Sequence, residues 1–82
     1  MKKRVLKNRL LILIQERERK MSRRIKLKDL ASFVGVTNHT VTSWIRNEVR
    51  KYEAQIVEGF CDYFDCDLAD LLYFELVEVE EE

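Results

Sequence analysis

The stretch Leu30-Ala31-Ser32-Phe33-Val34-Gly35-Val36-Thr37-Asn38-His39-Thr40-Val41-Thr42-Ser43-Trp44 decides the fold. Leu27, Leu30, Ala31 and Val34 recur at i, i+3, i+4 and i+7, which predicts a short helix over Leu27–Val34. Gly35 ends it, because glycine enters the left-handed conformation without steric cost. Val36 supplies an apolar plug, and Thr37 can cap a further helix by accepting from its orphan amides. That helix runs from Asn38 to Arg46 or Asn47. Ala31 is small enough for it to cross closely, and Val36, Val41 and Trp44 pack it onto the core. Such a turn holds two helices at a fixed angle, so that the second projects from the surface.

Helical geometry predicts what projects. At about 100° per residue, Val41, Trp44 and Ile45 share one side. His39, Ser43 and Arg46 lie nearly opposite, Thr42 beside them, and Asn38 at the exposed N-terminal end. This face is polar, mostly short-chained and free of acids. A helix entering a major groove needs hydrogen-bonding side chains, little bulk and no repulsion from phosphate.

Working outward, the 82 residues suffice for one domain with a modest core. The chain is 46% apolar, with no proline and two glycines, which favours helices with short connections over strands and tight turns. The net charge of zero hides an asymmetry. Residues 1–51 carry all 15 Lys and Arg against four acids, a net +11, whereas residues 52–82 carry 11 acids and no base. A polyanionic partner for the basic half follows as an expectation.

Leu6, Leu10, Leu13 and Ile14 predict a first helix over Arg4–Lys20, joined by a basic connector, Met21–Lys26. Asn47–Tyr52 reads as a loop. A fourth helix spans about Glu53–Phe64, and a fifth, capped by Asp67, covers Leu68–Phe74. Glu75–Glu82 alternates apolar and acidic residues and reads as either a frayed tail or a short strand. The expected architecture is all-α: a compact five-helix domain over residues 1–75 and a short acidic C-terminal tail over 76–82.

The quoted segment resembles the Cro/C1-type helix-turn-helix family, the lambda-repressor-like DNA-binding domains. Leu30-Ala31, Val34-Gly35-Val36-Thr37, Thr40-Val41 and Trp44 stand where that family has Leu-Ala, Leu-Gly-Val-Ser, Thr-Ile and Trp. Val49-Arg50-Lys51-Tyr52 and the stretch from Cys61 to Leu72 are similar to a compact subgroup ending in an Asp-Leu-Leu helix. The resemblance implies the five-helix fold, double-stranded DNA as partner, and operator binding as a homodimer. Two positions depart from the pattern. Lys26-Leu27 replace a Thr-Gln that clamps phosphate, and Ile45 replaces a Glu that pairs with the first helix. In this register Ile14 or a neighbour faces Ile45, an apolar contact in place of an ion pair.

Carried over by residue, the base-reading candidates are Asn38, His39, Thr42 and Ser43. The phosphate-contacting candidates are Lys26, Lys28, Thr37, Thr40, Arg46, Asn47, Arg50 and Lys51. Lys2-Lys3-Arg4 and Lys7 read equally as a DNA-touching arm or a solvated terminus. The basic, amphipathic first helix has a membrane-surface reading too, but the core requires its apolar side. His39 is the single histidine, so no metal site is expected. Cys61 and Cys66 read as buried thiols rather than a disulfide framework, which suits a reducing, cytoplasmic setting. No nucleophile motif or phosphate loop appears, so neither enzyme activity, a cofactor nor a small-molecule substrate is expected. The function expected is sequence-specific transcriptional regulation by a repressor. The alternative is a protein-interaction module on the same fold, such as an antitoxin, with the acidic half as its working surface.

Overall fold

The computed structural model describes residues 1–80; the last two glutamates of the expected acidic tail lie outside the described residues. In chain order the elements are β1 (Lys2–Asn8), α1 (Leu10–Met21), α2 (Leu27–Val34), α3 (Asn38–Ile45), α4 (Ala54–Phe64), α5 (Leu68–Leu71) and β2 (Leu72–Glu78). Five helices are present as expected, but the architecture is not all-α. The two chain ends form an antiparallel ribbon, from Lys2 opposite Glu78 to Asn8 opposite Leu72.

The ribbon corrects two helix boundaries. The first helix starts at Leu10, not Arg4, because Asn8 stops it. Asn8 Oδ1 accepts the Leu10 N–H at 3.0 Å, a local bond that competes with helix upstream. The fifth helix ends at Leu71, not Phe74. Leu72 turns extended, and Leu71 C=O instead accepts the Arg9 N–H at 2.7 Å. Tyr73, Phe74 and Val77 then suit a pleated strand better than a helix. Of the two readings of the C-terminal stretch, the strand is realised through Glu78.

Cross-strand contacts add to the ladder. Lys7 Nζ lies 3.9 Å from Glu75, and the N-terminal ammonium 3.7 Å from Glu78. Arg4 sits over the Phe74 ring at 5.8 Å, and Arg9 over Tyr73 at 4.3 Å. These wholly or partly exposed pairs are individually weak, on the order of 1 kcal/mol or less each.

The core gathers one or two residues from every helix. Leu10, Ile14, Leu30, Ala31, Val41, Trp44, Phe60, Phe64 and Leu71 are buried together. Trp44 anchors α3, its ring 4.7 Å from Phe60 and 5.1 Å from Tyr52. Ile45 packs half-buried against this cluster, in keeping with its replacing a charged residue. On the far side Arg17 lies over Tyr63 and Phe64, fastening α1 to α4. Among the described residues no helix is long and apolar enough to cross a membrane.

Four helices close the same way. Each ends in a left-handed residue, Ser22, Gly35, Asn47 or Asp65. The following N–H reaches back five residues to a helix carbonyl: Arg23 to Glu18, Val36 to Ala31, Glu48 to Ser43, Cys66 to Cys61. This is the Schellman closure, which satisfies orphan carbonyls at the helix end. Only one of the four positions is glycine. The connector after α1 is further tied where the Glu18 carboxylate accepts the Ile25 N–H at 2.9 Å.

Candidate nucleic-acid interface

The turn between α2 and α3 is built as its sequence predicts. Gly35 takes φ +88°, and the N–H groups of Gly35 and Val36 both reach the Ala31 carbonyl, at 2.8 and 2.9 Å. Thr37 caps α3: its Oγ1 accepts the Thr40 N–H at 3.2 Å, and the two hydroxyls lie 3.1 Å apart. Below, Val41 and Trp44 are buried. α3 is therefore fixed at its start by a hydroxyl cap and along its length by a buried aromatic.

The opposite face of α3 is open. Asn38, His39 and Arg46 are exposed, while Thr42 and Ser43 are half-buried. No acid lies in α3 itself. Exposed Lys26 precedes α2 as its cap and exposed Lys28 lies in its first turn, while exposed Arg50 and Lys51 follow α3. The face thus combines short polar side chains at its centre with cations at the neighbouring chain turns. That is the division of labour expected where base edges are read and phosphates gripped.

Asn47 has another task. Its Oδ1 accepts the Asn8 N–H at 2.7 Å and its Nδ2 donates to the Asn8 carbonyl at 3.1 Å. Asn8 in turn donates from Nδ2 to the Trp44 carbonyl at 2.9 Å. The two asparagines lock the end of α3 to the end of β1. Sequence reading placed Asn47 among phosphate contacts; here both polar atoms of its side chain already hold backbone.

The ribbon sets Lys3 and Arg4, which the sequence leaves as an arm or a solvated terminus, beside the loop that follows α3. Lys3, Arg4 and Arg50 line one shallow depression of about 230 Å³ with Val49 and Tyr52. Tyr52 donates its hydroxyl to the Leu6 carbonyl at 3.4 Å, seating the loop after α3 on the edge of β1.

The thiols lie elsewhere, at the end of α4. Burial pushes the Cys66 thiol from its ordinary value near 9 up to about 11, and the neighbouring Cys61 adds to the effect. Cys61 is raised as well, again chiefly by burial. Both therefore stay protonated at neutral pH, which makes them weak nucleophiles. Among the described residues no group of three or more His, Cys, Asp or Glu is placed to hold a metal ion.

The family model of the Cro/C1-type HTH DNA-binding domain matches residues 10–76. The chain belongs to the Cro/C1-type helix-turn-helix family. No curated protein and no solved structure matches it. The match begins at the first residue of α1 and ends within β2, so all of β1 lies upstream of the matched Cro/C1-type residues. Domains of the Cro/C1 type bind DNA and serve transcription regulation, and α2–α3 lies within the matched residues.

Proposed function

We propose that this chain is a transcriptional repressor that binds a two-fold operator as a homodimer. α3 enters the major groove. Asn38, His39, Thr42 and Ser43 read base edges, with Asn38 suited to a bidentate contact with adenine and His39 able to donate or accept. Thr37 and Thr40, at the N-terminus of α3, bind backbone phosphate together with the helix N-terminus. Lys26, Lys28, Arg46, Arg50 and Lys51 grip flanking phosphates. The observation that carries this reading is the acid-free polar face of α3, turned outward by the burial of Val41 and Trp44. The two-fold operator follows from the pairing of half-sites with protein symmetry.

The experiment is site selection from a random duplex library with the wild-type chain and with His39→Ala/Ser43→Ala. Each lost base contact should cost about 1–3 kcal/mol of discrimination. The double variant should keep its melting temperature and lose the selected motif. An unchanged motif would remove α3 from the recognition role.

A further inference from the structure

We propose that β2 pairs edge to edge with β2 of a second copy of this chain, antiparallel about a two-fold axis through Leu76. The inference deepens the homodimer of the preceding reading by giving it an interface.

The ribbon's hydrogen-bond phase decides which backbone groups are free. Val79 N–H donates to Met1 C=O at 2.9 Å, and Arg9 N–H to Leu71 C=O at 2.7 Å, at the two ends of one continuous register. Bonded and non-bonded pairs alternate along an antiparallel ladder. The odd-numbered residues therefore carry the ladder, and the even-numbered ones turn their N–H and C=O outward.

The two outward edges differ. On β1, Asn47 pairs with both backbone groups of Asn8, and Tyr52 takes the Leu6 carbonyl. What remains is flanked by Lys2, Lys3 and Arg4, and pairing two such edges would set Lys3 against Lys3. On β2, the Leu72 N–H is bonded to Leu68. Phe74, Leu76 and Glu78 offer three outward N–H and three outward C=O groups with no partner among the described residues. β2 also lacks the lysine, proline or bulge that usually protects an edge.

The side chains favour a second copy over another occupant. Phe74 and Leu76 are 65% and 61% exposed, on the same face of the ribbon, and Leu68 nearby is 57% exposed. An axis through Leu76 uses all three free residues. It sets Leu76 beside Leu76, Phe74 beside Glu78, and Glu75 beside Val77, so no acid faces an acid. An axis through Glu75 would oppose two carboxylates, which is destabilising. Pairing β2 with β1 of a second copy would be heterologous, and it would meet an edge on which Asn8 and the Leu6 carbonyl are already bonded. The product of the Leu76 pairing is a closed, four-stranded sheet in the order β1-β2-β2-β1.

The phase supplies a selective test. Leu76 turns its N–H away from β1, so Leu76→Pro removes an edge donor without removing a ladder bond, a placement proline tolerates. Leu76→Lys, which keeps the backbone donor, would set two cations at the axis. Sedimentation velocity at about 50 μM, a concentration above a micromolar dissociation constant, should show a wild-type dimer and monomers for both variants. Circular dichroism and thermal melting report whether each variant folds. Oxidised Leu76→Cys should form a cross-link between copies, since bonded pairs place Cα atoms about 5.5 Å apart. A monomeric wild type, or a folded Leu76→Lys that remains dimeric, overturns the edge pairing. A dimer in which Leu76→Cys does not cross-link overturns the axis. Duplex binding is scored separately: a wild-type dimer that binds no DNA would leave this interface standing and remove the operator reading.

Discussion

Asn47 illustrates how one residue type can satisfy two incompatible readings. An asparagine just past a recognition helix suits a phosphate contact, and that was the sequence expectation. Its left-handed φ of +56° and its paired bonds to Asn8 make it a clamp instead. Nothing local in the sequence marks this, because its partner lies 39 residues away. Asn47→Ala should cost about 2–4 kcal/mol, combining strained backbone with unpaired polar groups. Asn47→Gly restores the backbone freedom but not the bonds, and should cost about 1–2 kcal/mol. Urea unfolding separates them. A phosphate contact would instead weaken duplex binding and leave both midpoints unmoved. By contrast Gly35, Thr37 and Trp44 were legible from sequence, since each acts on neighbours within one turn or one helix.

The elements divide along the same line. α2, the start of α3 and the C-terminus of α4 fall at their expected bounds, because a glycine turn and apolar periodicity are local signals. The ribbon is not legible in the sequence, because the periodicity of Leu6, Leu10, Leu13 and Ile14 fits a helix through β1 equally well. Only the distant β2 resolves the choice. The packing of α2 on α4 was equally hidden. A Cβ built on Gly59 would stand 2.8 Å from Val34 Cγ1 and 3.4 Å from Val34 Cα. Gly59→Ala should therefore destabilise by about 1–2 kcal/mol, the cost of overpacking less the gain in helix propensity. Val34→Ala in the same chain should recover part of that loss. Additive costs in the double-mutant cycle would show that the two residues do not share this contact.

At the scale of the whole molecule, the division of charge gains a structural meaning. The basic first half places Lys26, Lys28, Arg46, Arg50 and Lys51 before and after α3, while Lys7 of β1 and the N-terminal ammonium meet Glu75 and Glu78 of the acidic half. The ribbon thus joins the halves at one place and leaves the cations around α3 unpaired among the described residues. Net charge alone conceals this, since it sums to zero over the chain. On the proposed reading the α3 face binds duplex DNA, with phosphate neutralisation supplying much of the affinity. The most direct test is the equilibrium affinity of the full chain for a selected duplex, titrated with salt. With five such cations on each protomer of a dimer, affinity should fall about 10³- to 10⁵-fold between roughly 50 and 200 mM salt. Binding that is absent at low salt, or indifferent to salt across that range, would contradict DNA binding by this face and favour a protein-interaction module on the same fold.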